Sequence, residues 1–69
     1  PPYLTSLTIT LPTGIDTTAW SQQILAIDGV DEIVMMPKEN IAYLKLDKEK
    51  LTDDTRQHLS HLTGQTLAI

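Results

Sequence analysis

Val30-Asp31-Glu32-Ile33-Val34-Met35-Met36-Pro37-Lys38-Glu39-Asn40-Ile41-Ala42-Tyr43-Leu44-Lys45-Leu46 is the stretch that decides the fold. Two apolar runs flank a short polar one. Runs of this length, rich in β-branched and apolar residues and bounded by turn formers, read as strands. Pro37 presets one backbone dihedral of the turn, and Asn40 tolerates a left-handed one. So short a connection leaves no room for a crossover, so the two strands must form an antiparallel hairpin. Successive side chains in a strand point to opposite faces. If Ile33, Met35, Ala42, Leu44 and Leu46 face a core, then Val34, Met36, Ile41 and Tyr43 face away from it.

Upstream, residues 3–11 alternate, with Leu7, Ile9 and Leu11 on one side and Thr8 and Thr10 on the other. This is strand periodicity, ended by Pro12. Asp16 is a good N-cap for a following helix, and Ile15 is placed to staple against Trp20. Trp20, Ile24 and Ile27 recur at helical spacing, with Ala19 and Leu25 at the stripe's margin, and Gly29 is expected to end the helix as a left-handed cap. Downstream, Thr52 or Asp53 starts a second helix whose apolar stripe is Leu59 and Leu62, extended by Leu51. Gly64 ends it, and Gln65 to Ile69 is short and apolar enough for a last strand. The resulting order is strand, helix, strand, strand, helix, strand. It predicts one α+β domain over residues 1–69. The expected fold is a ferredoxin-like βαββαβ sandwich, a four-stranded antiparallel sheet in the order 4-1-3-2 with two helices on one face.

Composition narrows the function. The chain has 69 residues and a net charge of −4. An acidic surface argues against nucleic acid, since phosphate recognition needs clustered Lys and Arg. The few basic residues gather loosely around Lys45, Lys48 and Lys50 and read as solvated charge. There is no cysteine, hence no disulfide and no thiolate ligand. That fits a reducing cytoplasm. No apolar run approaches the ~20 residues of a membrane span, so this segment is not expected to insert in a bilayer. No signal peptide is visible.

Three pieces of sequence resemble the heavy-metal-associated (HMA) domain family of copper chaperones and metal-pumping ATPases. Ile27-Asp28-Gly29-Val30 is similar to the end of that family's first helix and is followed by the apolar pair Ile33 and Met35. Ala42-x-Leu44-x-Leu46-Asp47 is similar to its third strand. Lys48 to Leu51, with the helix ending at Gly64, resembles its closing unit. The resemblance places the family's metal-binding CxxC on Thr13-Gly14-Ile15-Asp16, where this chain has no sulfur. It implies a degenerate member that serves, or is attached to, a membrane transporter of heavy metals without carrying the metal itself.

Residual metal chemistry has two weak candidates. Asp16 supplies one hard oxygen, which cannot replace thiolates for a soft ion. His58 and His61 are three apart on the second helix, on neighbouring faces, with Asp54 a turn earlier. Two imidazoles alone hold zinc or nickel weakly, and a polar helix face explains them as well. Met35 and Met36 diverge from one strand and make no thioether site. No cofactor is expected. No nucleophile–base pair and no Gly-rich phosphate loop is present, so no enzymatic activity is expected either. What stands out is the uncovered sheet face. Val34, Met36, Ile41 and Tyr43 are more apolar than a solvated face requires. They are the expected docking surface for a protein partner or a second copy. Ordinary scatter of exposed apolar residues and β-propensity form the competing explanation.

Overall fold

The computed structural model describes residues 2–67. Strand β1 spans Leu4–Thr10, helix α1 Thr17–Leu25, β2 Val30–Met36, β3 Ile41–Asp47 and helix α2 Asp53–Thr63. The strands form one antiparallel sheet in the order β1-β3-β2, with β3 in the middle. Both helices cover the same face. Beneath them lie Ile9 of β1, Ala42, Leu44 and Leu46 of β3, and Val30 of β2, closed over by Trp20, Ile24, Ile27, Leu51 and Leu59. Leu7, Ile33 and Met35 complete this layer from the strands.

Each element forms for a local reason. The Pro37–Glu39 segment makes a short 3-10 turn, and Asn40 takes the left-handed conformation at φ 58° that reverses the chain into β3. Asp16 caps α1, its Oδ1 accepting from the amides of Thr18 and Ala19 at 3.0 and 3.2 Å. These are donors that a helix start otherwise leaves unsatisfied. Thr52 and Thr55 form a reciprocal capping box on α2, and Asp53 and Asp54 place negative charge at its positive end. The helices are tied together by the Trp20 indole, which donates to the Leu62 carbonyl at 2.7 Å while its ring is buried.

The link from α1 to β2 departs from expectation. The helix ends at Leu25, with Ala26 as its cap in a right-handed conformation. Ile27 is buried, but it belongs to the following turn, where its amide donates to the Ile24 carbonyl and its carbonyl accepts from Val30. Gly29 does take a positive φ, 102°, yet it acts at the strand entry and not at the helix end. Its carbonyl accepts from the Asp47 amide at 2.7 Å. Ile15 stays 48% exposed, so the expected staple is at most partial.

The larger correction concerns the sheet. Gln65 to Leu67 form no strand; Leu67 instead packs against the core. The rest of the expected fourth strand, Ala68 and Ile69, lies outside the described residues. Among the described residues the sheet has three strands, so the four-stranded 4-1-3-2 ferredoxin-like sandwich is not what this chain forms. The HMA resemblance falls with it, because that family's architecture needs a fourth strand beside β1. The implied link to heavy-metal transport rested on the same architecture and has no support without it.

Gly29 gives the sharpest test of this packing. A Cβ there would meet Leu51 Cδ2 at 2.7 Å and the Leu51 amide nitrogen at 3.3 Å, at a φ that side chains rarely adopt. Gly29→Ala is expected to destabilise the domain by about 2 kcal/mol, read as a lower urea midpoint. Gly14→Ala, with nothing within 4 Å of its Cβ, carries only the backbone strain and should cost less.

Candidate interaction face

The ladder registers determine which side chains share the uncovered face. Across the sheet, Thr10, Ile41 and Met36 form one row, Thr8, Tyr43 and Val34 a second, and Ser6, Lys45 and Glu32 a third. A bulge between Val30 and Glu32 lies beyond the third row and leaves the first two regular. Val34, Met36, Ile41 and Tyr43 thus form one contiguous patch at the turn end of the hairpin. Val34 is 43% and Tyr43 42% exposed, while Met36 and Ile41 are half-buried. The third row is polar, with the Lys45 ammonium 4.0 Å from the Glu32 carboxylate and both side chains about half exposed, and half-buried Leu4 lies beyond it opposite Asp47. An ion pair of that kind contributes ~0–1 kcal/mol.

The candidate metal ligands are not brought together. Asp16 lies at the start of α1 with its Oδ1 used in capping, and Thr13 is exposed in the turn before it. His58 and His61 are exposed on α2. Among the described residues no three His, Asp or Glu side chains converge as a metal would require. Met35 and Met36 face opposite sides of the sheet, as their adjacency dictates.

Sequence reasoning missed two features. Asp47 is only 7% exposed, unusual for a carboxylate. It ends β3 by accepting the Glu49 amide at 3.0 Å on its Oδ1, and its role is to turn the chain toward α2. The second is an open groove of about 230 Å³ lined by Thr17, Thr18, Ser21, Met35 and Pro37. The Ser21 hydroxyl there donates to the Thr18 carbonyl at 2.9 Å and so is already satisfied within the helix. Neither feature gathers charged groups around a substrate-sized space. No helix among the described residues is long and apolar enough to cross a membrane.

With the geometry in view, comparison with known proteins adds no family. No protein-family model matches the chain, and no curated protein matches it.

The capping role of Asp16 can be tested directly. Asn caps a helix about as well as Asp, whereas Ala cannot accept the amide bonds. Asp16→Ala is therefore expected to lower stability by about 1 kcal/mol and Asp16→Asn by only a few tenths, measured by urea denaturation. Equal losses in both variants would show that the carboxylate's charge, and not its acceptor geometry, matters at this position.

Proposed function

We propose that this domain is a non-catalytic protein-interaction module that docks a partner on the uncovered face of its sheet. The observation that carries this reading is the gradient along that face. If β-propensity alone had placed Val34, Met36, Ile41 and Tyr43, apolar residues would be spread along the strands. Instead they occupy the β2 and β3 positions of the two rows nearest the hairpin turn, beside Thr10 and Thr8 of β1; the third row is Ser6, Lys45 and Glu32, and beyond it Leu4 stands opposite Asp47. An apolar centre with a polar border is how docking surfaces are built, and tyrosine and methionine are enriched in them. The partner is a protein offering an apolar surface of its own, since the patch itself carries no charge to recognise an ion or a phosphate.

A rigid platform suits this role. The patch lies on two hydrogen-bonded strands whose opposite sides are anchored in the core, so little conformational freedom is lost on docking. A cytoplasmic setting goes with this reading, because a chain without cysteine gives up no disulfide in a reducing compartment.

A photo-crosslinking residue at Lys45, beside the patch, tests the idea in the native cells. Discrete protein adducts are expected, and they should disappear when Tyr43→Lys or Val34→Lys is added. Both positions are exposed enough that the domain's stability should change by less than about 1 kcal/mol. Partner affinity should fall at least about tenfold. The same adduct pattern from a crosslinker at Gln57, on the exposed side of α2, would overturn the assignment.

A further inference from the structure

The two edges of the sheet are defended differently. At β2 the edge carries a bulge between Val30 and Glu32, with the acidic Asp31 and Glu32 alongside, and Pro37 follows the strand. Bulges, charges and prolines are the devices that stop an edge from pairing with another chain. The edge at β1 has neither bulge nor charge, and the proline that follows it, Pro12, comes only after Leu11 has closed the ladder. Leu4-Thr5-Ser6-Leu7-Thr8-Ile9-Thr10 is uncharged, free of Gly and Pro, and regular over its whole length against β3. Among the described residues nothing forms a ladder with its outer side.

The backbone groups on that outer side can be assigned. The Lys48 amide donates to the Tyr3 carbonyl at 2.8 Å, and the Leu11 amide donates to the Asn40 carbonyl at 2.9 Å. Both pairs continue the β1–β3 register, in which Leu7 faces Leu44. In an antiparallel ladder the bonded pairs alternate, so Thr5, Leu7 and Ile9 also bond β3. Leu4, Ser6, Thr8 and Thr10 therefore direct their N–H and C=O groups outward.

We infer that this edge binds a second copy of the chain, β1 against β1 in antiparallel sense. A twofold axis at Leu7 pairs Leu4 with Thr10 and Ser6 with Thr8 of the other copy. Every outward group is then used, in about eight hydrogen bonds. On the core side the axis sets Leu7 beside its symmetry mate, with Thr5 opposite Ile9 on either flank. No like charges face each other, which matters for two copies that each carry −4. The pairing consumes the undefended edge of both copies and leaves the two bulged β2 edges outermost, so the assembly closes as a dimer and does not grow into a fibre. Because such an axis stands perpendicular to the sheet, both uncovered faces end on the same side. The dimer inference stands on the β1 edge alone and does not depend on the partner-docking reading. Where both hold, two patches side by side would give a two-site partner added avidity.

An edge of this size places the dissociation constant in the range of about 10 µM to about 1 mM. Sedimentation across those concentrations should show a monomer–dimer equilibrium. Over the same range, amide hydrogen exchange should slow at Leu4, Ser6, Thr8 and Thr10 and stay unchanged at Thr5, Leu7 and Ile9. Thr8→Pro removes an outward amide without touching a bond to β3, and should weaken the dimer at least about tenfold while circular dichroism stays native. Tyr43→Lys, on the face and not the edge, should leave the dimer intact. A monomer up to ~1 mM would overturn the inference. So would a dimer lacking the alternating exchange pattern, which also decides the matter should Thr8→Pro fail to fold.

Discussion

Ala42, Leu44 and Leu46 project from the middle strand into the space beneath both helices, and almost none of their surface meets water. Every other buried group is positioned with respect to them. β1 and β2 are held to either side of β3 by backbone ladders, which bring Ile9 and Val30 alongside this row. The helices then close it with Trp20, Ile24 and Leu59. In a chain of 69 residues no second core can form elsewhere. The alternation that drives three side chains of β3 inward also drives Ile41, Tyr43 and Lys45 outward. The buried row and the exposed patch are two consequences of one strand.

The hairpin was legible in the sequence because its signals are local. Pro37 and Asn40 are turn residues by their own backbone preferences, and strand alternation assigns each neighbour to a face once one is placed. The helix caps were legible for the same reason, since Asp16 and Thr52 bond amides only two or three residues away. The end of α1 was not legible. Ile27 completes a helical stripe with Trp20 and Ile24, but it is also buried from the turn beyond the helix. Burial satisfies the periodicity either way, so the pattern does not distinguish a last helical turn from a tight turn. Residues 65–67 failed differently. An apolar run becomes a strand only by pairing with another, and Leu67 instead gives its apolar surface to the core. Which of these occurs depends on groups distant in sequence.

The same distinction explains how a family resemblance arose without a matching fold. Ile27-Asp28-Gly29-Val30 is a helix-to-strand turn with a glycine where φ is 102° and a side chain would strike Leu51. Any chain making that turn against that neighbour needs glycine there. Leu44, Leu46 and Asp47 are likewise set by local demands: two inward positions of a central strand, then a carboxylate that accepts the Glu49 amide as the strand ends. Residues required by the geometry of a βαββα path recur wherever that path occurs. They carry no information about metal, and the turn at Thr13 to Asp16, which would have carried it, is occupied by an ordinary helix cap.

Among the described residues two surfaces remain uncovered, and physical chemistry treats them differently. A face can stay in water indefinitely, because its backbone is already bonded and only side-chain surface is at stake. An edge cannot be neutral in the same way, since its outward amides and carbonyls offer a template to any extended chain. The bulge and acidic charges at β2, which β1 lacks among the described residues, are therefore the more informative contrast. Polar threonines and a serine on β1 keep the strand soluble without blocking its backbone. Thr8 serves both surfaces: its side chain belongs to the row with Tyr43 and Val34, while its amide points along the plane of the sheet. A charge at that position would disturb the face, whereas a proline would close the edge with little effect on the face. That separation lets face and edge be altered independently in a domain this small.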